Sequence, residues 1–121
     1  MKGKIAAEEV KIALYNNWSD FVFDSDYKLP TLKEVENHIK EKGHLKDIPS
    51  ASDVKENGFY LGEMDSKLLQ KIEELTLYTI EQEKRLDRIE SKNKKLEKEN
   101  EILKSLAEGL TKMEELQKNK N

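Results

Sequence analysis

The sequence predicts a mainly α protein, in which a small α+β head precedes a long parallel coiled-coil helix that assembles as a homotrimer. Seven of the eight aromatic residues lie before residue 61, which marks the head. The second half instead repeats leucine and isoleucine at heptad spacing. Charged residues make up 39% of the chain and hydrophobic residues 36%, which is poor for a compact globule. We therefore divide the chain into a head (1–60), a coiled-coil stalk (61–118) and a disordered end (119–121).

Composition excludes several classes of protein. The chain has no cysteine, which excludes disulfides, thiol nucleophiles and cysteine metal sites. It has no run of about 18 apolar residues, so we expect no membrane insertion. The net charge of −3 provides no positive field that would bind nucleic acid non-specifically. We expect neither a cofactor nor a bound metal.

The head begins with a predicted strand at residues 4–14. Val10, Ile12 and Leu14 recur at every second position, which is the period of a strand. A helix is the alternative, because the Ala-Ala-Glu-Glu stretch at 6–9 favours one.

Residues 15–30 predict a short strand or an extended loop between turn-prone flanks. Trp18, Phe21 and Phe23 supply most of the apolar area of the head. We expect these three side chains to pack the head against the stalk.

Two helices are predicted in the rest of the head. Thr31 with Glu34 forms a capping box, and Gly43 supplies a left-handed C-cap, so the helix between them has about eleven residues. A shorter helix follows, which Ser50 or Ser52 caps and Gly58 ends.

From Leu61 onward the chain predicts one continuous coiled-coil helix. With Leu61 at position d, seven of the eight d positions are apolar, and repeats sustained over so many heptads are typical of coiled coils. The alternative is a single amphipathic helix packed on its own head. A helix of about 58 residues would be about 87 Å long, however, and a head of about 60 residues could not cover that length. The predicted oligomer core is Leu61, Leu68, Ile72, Leu75, Thr79, Gln82, Leu86, Ile89, Asn93, Leu96, Asn100 and Leu103.

Flanking charges favour parallel helices. In a parallel in-register pair, a g residue faces the e residue five positions later on its neighbour. These pairs are Arg85–Glu90, Lys92–Glu97 and Glu99–Lys104, and all are opposite in sign.

The number of helices in the bundle is predicted from polar residues within the core and from apolar residues beside it. Asn93 and Asn100 at a positions specify register in dimers and also occur as polar layers of trimers. The segment 68–80 carries extra apolar residues, which a trimer with the head on its outer face explains better than a dimer. Together with the three aromatic residues named above, the predicted head–stalk contacts are Leu69, Leu77, Tyr78 and Ile80.

The heptad pattern drifts after Leu103. Leu106, Leu110, Met113 and Leu116 follow a shifted stripe, and Glu114 falls at an a position. We expect looser winding there and fraying after about residue 113.

Four stretches of the chain carry a resemblance to a known group of proteins: GKIAAEEVKI (3–12), NWSDFVFDSDYKLPTLKEVENHI (17–39), GHLKDIPSASDVKENG (43–58) and LGEMDSKLLQKIEELTLYTIEQEKRL (61–86). They resemble the C-terminal segment of large surface or tail-fibre-like proteins of Bacteroidetes and their phages. In outline the chain is also similar to the intramolecular chaperone domain of phage tailspikes. The resemblance implies a trimer that helps an upstream fibre to assemble, and a location outside the cell or on the virion. If Met1 is the true start, a cytoplasmic location is expected instead.

The resemblance to the chaperone domain implies a self-cleaving Ser–Lys dyad, but this chain departs from its motif. Ser25, Asp26 and Leu29 match, whereas Pro30 stands where the dyad lysine is expected. A serine needs a base within hydrogen-bond reach, so we predict a non-enzymatic module. Self-cleavage at Ser25 and a dimeric coiled-coil adaptor are the alternatives.

Residue types alone suggest two further ligands, a metal ion and a glycan. His38 and His44 with Glu34 or Glu41 could hold zinc or nickel, but His38 beside an apolar face and His44 capping a carbonyl fit better. The aromatic run in the head could contact a surface glycan, although core packing explains it with fewer assumptions.

Overall fold

A computed structural model describes residues 3–13 and 18–120 of the chain, and three helices form its secondary structure: α1 (Leu32–Lys42), α2 (Ala51–Asn57) and α3 (Leu61–Asn119). The mainly α prediction is confirmed. The described residues contain no strand, so the predicted α+β head is wrong.

The predicted strand at residues 4–14 is the clearest difference. Residues 4–13 are exposed and form neither strand nor helix, and Leu14 lies outside the described residues. A strand is stabilised by hydrogen bonds to a neighbouring strand, and no second strand exists in the described part of the chain. Residues 18–30 are a loop, in which Phe21, Asp24 and Tyr27 form two successive backbone turns. Residues 18–30 therefore follow the loop alternative, with turns in place of an extended backbone, and residues 15–17 of the predicted segment lie outside the described residues.

Helix α1 has the predicted bounds and cap residues, but among the described residues only one of the two hydrogen bonds of the predicted Thr31–Glu34 capping box is formed. The Thr31 hydroxyl accepts a hydrogen bond from the backbone N–H of Glu34 at 3.1 Å. Gly43 ends the helix at φ 77°, a left-handed conformation that glycine adopts without steric cost. The prediction of an eleven-residue helix is confirmed.

Helix α2 is capped by Ser50 rather than Ser52. The Ser50 hydroxyl accepts from the Asp53 N–H, and the Asp53 carboxylate accepts from the Ser50 N–H, which completes a capping box. Gly58 ends the helix at φ 65°. The two reciprocal bonds explain how seven residues form a regular helix.

Helix α3 begins at Leu61 as predicted and continues to Asn119, beyond the predicted fraying point near residue 113. The chain divides into two compact units, Met1–Leu77 and Tyr78–Asn121. The first unit includes the start of α3 because the head loop packs on it. No helix in the described ranges is both long and apolar enough to cross a membrane.

The interior of the first unit is small and partly polar. Among the residues that the structure describes, Val22 is the only buried apolar side chain, at 1% exposure. Ser19, Ser66 and Glu74 are the buried polar residues of the same ranges. The head is therefore held on α3 by hydrogen bonds as much as by apolar packing.

Candidate functional site

Four of the five a and d positions of α3 in the first unit carry apolar side chains and form an exposed stripe, and the fifth is the exposed Asp65. Leu61, Leu68, Ile72 and Leu75 are between 47% and 64% exposed. Leucine and isoleucine at this spacing lie along one side of a helix. This side of α3 is the predicted oligomer core, and the head leaves it accessible.

The second unit carries the same kind of stripe. Leu86, Ile89, Leu96 and Leu103 are between 47% and 62% exposed. The polar residues predicted within the core are also exposed: Thr79, Gln82, Asn93 and Asn100. Each unit thus presents an apolar side of α3 that no described residue buries.

The head loop is joined to α3 by a buried serine pair. The Ser19 backbone N–H donates to the Ser66 Oγ at 2.8 Å, and the two hydroxyl oxygens are also 2.8 Å apart. Ser19 and Ser66 are 4% and 2% exposed. Buried polar groups are costly unless they are paired, so this contact fixes where the loop lies on the helix.

A second polar contact lies two turns further along α3. The Tyr27 hydroxyl donates to the Glu74 carboxylate at 2.9 Å, and the Gln70 amide donates to both at 3.2 and 3.3 Å. Lys71 lies 3.6 Å from the same carboxylate, which satisfies the buried charge. Burial raises the pKa of the Tyr27 hydroxyl above its usual value, and the nearby Glu74 carboxylate adds to that rise.

The spacing of these contacts shows which side of α3 the head covers. Ser66, Gln70 and Glu74 are four residues apart along the helix and therefore share one face. In the predicted heptad they occupy positions b, f and c, on the side away from a and d. The head therefore covers the outer face and leaves the a/d stripe exposed.

The three aromatic residues predicted to join head and stalk keep much of their surface accessible. Trp18, Phe21 and Phe23 are 52%, 41% and 60% exposed, and the Phe21 ring lies 5.6 Å from that of Tyr27. Val22, between two of them in sequence, is the buried apolar side chain of the loop. Of the predicted α3 contacts, Leu69 and Leu77 are partly buried in the first unit; in the second unit Tyr78 is partly buried and Ile80 is exposed.

Sequence reasoning missed the polar contacts of the head. The sequence analysis predicts no contact for Ser19 and includes Tyr27 only in the aromatic run, and their partners on α3 fall at outer heptad positions where solvated residues are expected. One signal was available: Ser19 to Ser66 and Tyr27 to Glu74 have the same separation of 47 residues. It has meaning only once the loop is known to lie along the helix.

An open groove lies between the head loop and the outer face of α3, with a volume of about 510 Å³. Its lining includes Phe21, Tyr60 and Gln70, together with Glu63 and Lys67, which form an ion pair at 3.1 Å. Aromatic rings beside amide and carboxylate groups are the surfaces on which sugars stack and hydrogen-bond. Glycan contact by the head stays a prediction.

The candidate metal ligands His38 and His44 and the candidate nucleophile Ser25 do not line this groove. The His38 and His44 rings are 5.7 Å apart, and the His44 Nδ1–H donates to the Leu45 carbonyl at 2.9 Å. Within the described ranges no three metal-ligating side chains cluster together. Ser25 and Asp26 lie exposed in a turn before α1.

Comparison with known proteins gives no match, whether with family models, with curated proteins or with solved structures.

Proposed function

We propose that this chain is a non-enzymatic trimerisation module of the chaperone-like kind, which holds three copies parallel and in register through α3. The observation that carries the proposal is the exposed a/d stripe on α3, together with a head that packs on the opposite face. A head that packed on its own stripe would have pointed to a monomer.

The stripe gives the association its driving force. Burying a leucine or isoleucine side chain contributes about 1.5–3 kcal/mol. Helices in water obtain most of their stability from packing an apolar face rather than from intrinsic propensity. Three copies of α3 that bury their stripes against one another supply that packing, whereas one copy alone does not.

Three helices account for the residues beside the stripe better than two. Leu69 and Tyr78 occupy e and g positions that flank the core. A trimer buries these flanking positions more fully than a dimer does. Asn93 and Asn100 then form polar layers that penalise register slips, since a slip would bury their amides against leucine.

The mechanism is entropic. Joining three chains through a coiled coil lowers the cost of bringing their attached segments together, because the segments are then at high effective concentration. Parallel pairing places the three heads at the same end. The placement of the module at the C-terminal end of a fibre or surface protein rests on the sequence resemblance.

The proposal is tested by charging the stripe. The double variant Ile89→Asp with Leu103→Asp places carboxylates in every copy of the core, where burial of an unpaired charge is prohibitive. We expect loss of the oligomer in sedimentation and loss of most helical signal in circular dichroism.

The matched control is Ser91→Asp with Ser105→Asp. It adds the same two charges at the same spacing, at exposed f positions, and should leave the mass unchanged. An oligomer that survives the stripe variant would contradict the proposal, and a wild-type mass of two chains would replace the trimer by a dimeric adaptor.

A further inference from the structure

The last part of α3 carries an exposed apolar surface that the heptad of the proposed core does not explain. Ile102, Leu106, Met113 and Leu116 are between 60% and 68% exposed. In that heptad Leu106 and Met113 fall at g, while Ile102 and Leu116 fall at c, which faces outward from a bundle. The same heptad places Glu114 in the core at a.

A single change of spacing removes these conflicts. Core residues up to Leu103 alternate by three and four positions, as in Leu96, Asn100 and Leu103. If the next core residue is Leu106 rather than Ala107, the following ones are Leu110 and Met113, and the alternation then continues.

In the shifted register the exposed surface becomes one continuous face. Leu106 and Met113 become d residues, and Ile102 and Leu116 become g residues that flank the core. Glu114 moves from the core to position e, where a carboxylate is solvated. Every large apolar side chain after residue 101 then lies in or beside the core.

We infer that the core of the trimer changes register at Leu103 through a stammer, the equivalent of three inserted residues, and continues through Leu106, Leu110 and Met113 of each copy. This inference rests on the proposed coiled coil and names its occupant as the same segment of the other copies. A stammer locally overwinds a left-handed coiled coil. At Leu103 the coiled coil is therefore wound more tightly, in contrast to the looser winding expected after that residue.

The flanking residues agree with self-association. The shifted g and e residues that face one another are Ile102 with Ala107 and Gly109 with Glu114, so that neighbouring copies meet without like charges. A partner of other composition would have to match an unusually broad apolar face. A second and third copy match it by symmetry.

The absence of native cysteine allows a direct test by disulfide trapping in the full chain. The single variants Leu106→Cys and Ala107→Cys differ by one position, and Leu96→Cys reports on the core upstream of the stammer. A disulfide needs Cβ atoms within about 4.5 Å, so core positions of parallel copies link under mild oxidation and flanking positions link slowly.

We expect the Leu96→Cys and Leu106→Cys variants to form linked pairs several-fold faster than the Ala107→Cys variant on non-reducing gels. Met113→Cys should likewise exceed Glu114→Cys. Linking at Leu96→Cys with Ala107→Cys equal to or faster than Leu106→Cys would overturn the stammer and leave the coiled coil intact. Failure at Leu96→Cys as well would overturn both.

A second measurement guards against variants that fold poorly. Leu106→Asp should lower the melting temperature more than Ala107→Asp, because the shifted core buries position 106 and not position 107. The reverse order would overturn the inference independently of any disulfide.

Discussion

Ser66 connects the head to α3 through a side chain with almost no solvent contact. Its hydroxyl accepts the backbone N–H of Ser19 and bonds the Ser19 hydroxyl. Removing one partner of a buried polar pair costs the desolvation of the group left behind. The serine pair is thus the residue-scale feature on which the position of the head depends.

Ser66→Ala should therefore lower the free energy of unfolding by about 1–3 kcal/mol, although alanine is the better helix former. Chemical denaturation followed by tryptophan fluorescence measures it, since Trp18 lies next to Ser19 in the head. The matched control is Ser105→Ala, an exposed serine of the same helix, which should be neutral or slightly stabilising. Equal stability of the two variants would show that the pair does not hold the head.

At the scale of elements, capping residues close in sequence predict the helices. The strand and the loop contacts depend instead on residues far apart in the chain. Thr31, Gly43, Ser50 and Gly58 cap α1 and α2 through neighbours within a few positions, so their effect can be derived from sequence. The strand at residues 4–14 depended on a partner strand that local sequence cannot specify. The loop contacts of Ser19 and Tyr27 could not be predicted from local sequence either, because they join residues far apart in the chain.

Orientation of the helices is also an element-scale property, and charge reversal tests it. Lys92→Glu turns the predicted pair with Glu97 of a neighbouring copy into a repulsion, worth a few tenths of a kcal/mol for each pair. The melting temperature should fall at low salt and recover in the double variant Lys92→Glu with Glu97→Lys.

Restoration by the double variant is specific to parallel in-register helices, because only there does a g residue meet this e residue. The difference should shrink at high salt, as for exposed charges generally. A double variant no more stable than the single one would contradict parallel pairing.

At the scale of the whole molecule, the account depends on where apolar surface is buried. Val22 is the only buried apolar side chain in the described part of the chain, while the large aliphatic residues at the a and d positions of α3 keep about half or more of their surface exposed in each unit. A domain with so little interior is marginal by itself. The heptad pattern predicted this surface from sequence, and the structure adds that the head lies on the opposite face of α3.

The central claim is that the fold of one copy depends on the others, and the mass in solution tests it most directly. Light scattering over a range of concentrations should give about three times the chain mass of 14.1 kDa, with a melting temperature that rises with concentration. A mass of 14.1 kDa in a dilute sample that still melts cooperatively, at a temperature independent of concentration, would contradict the account.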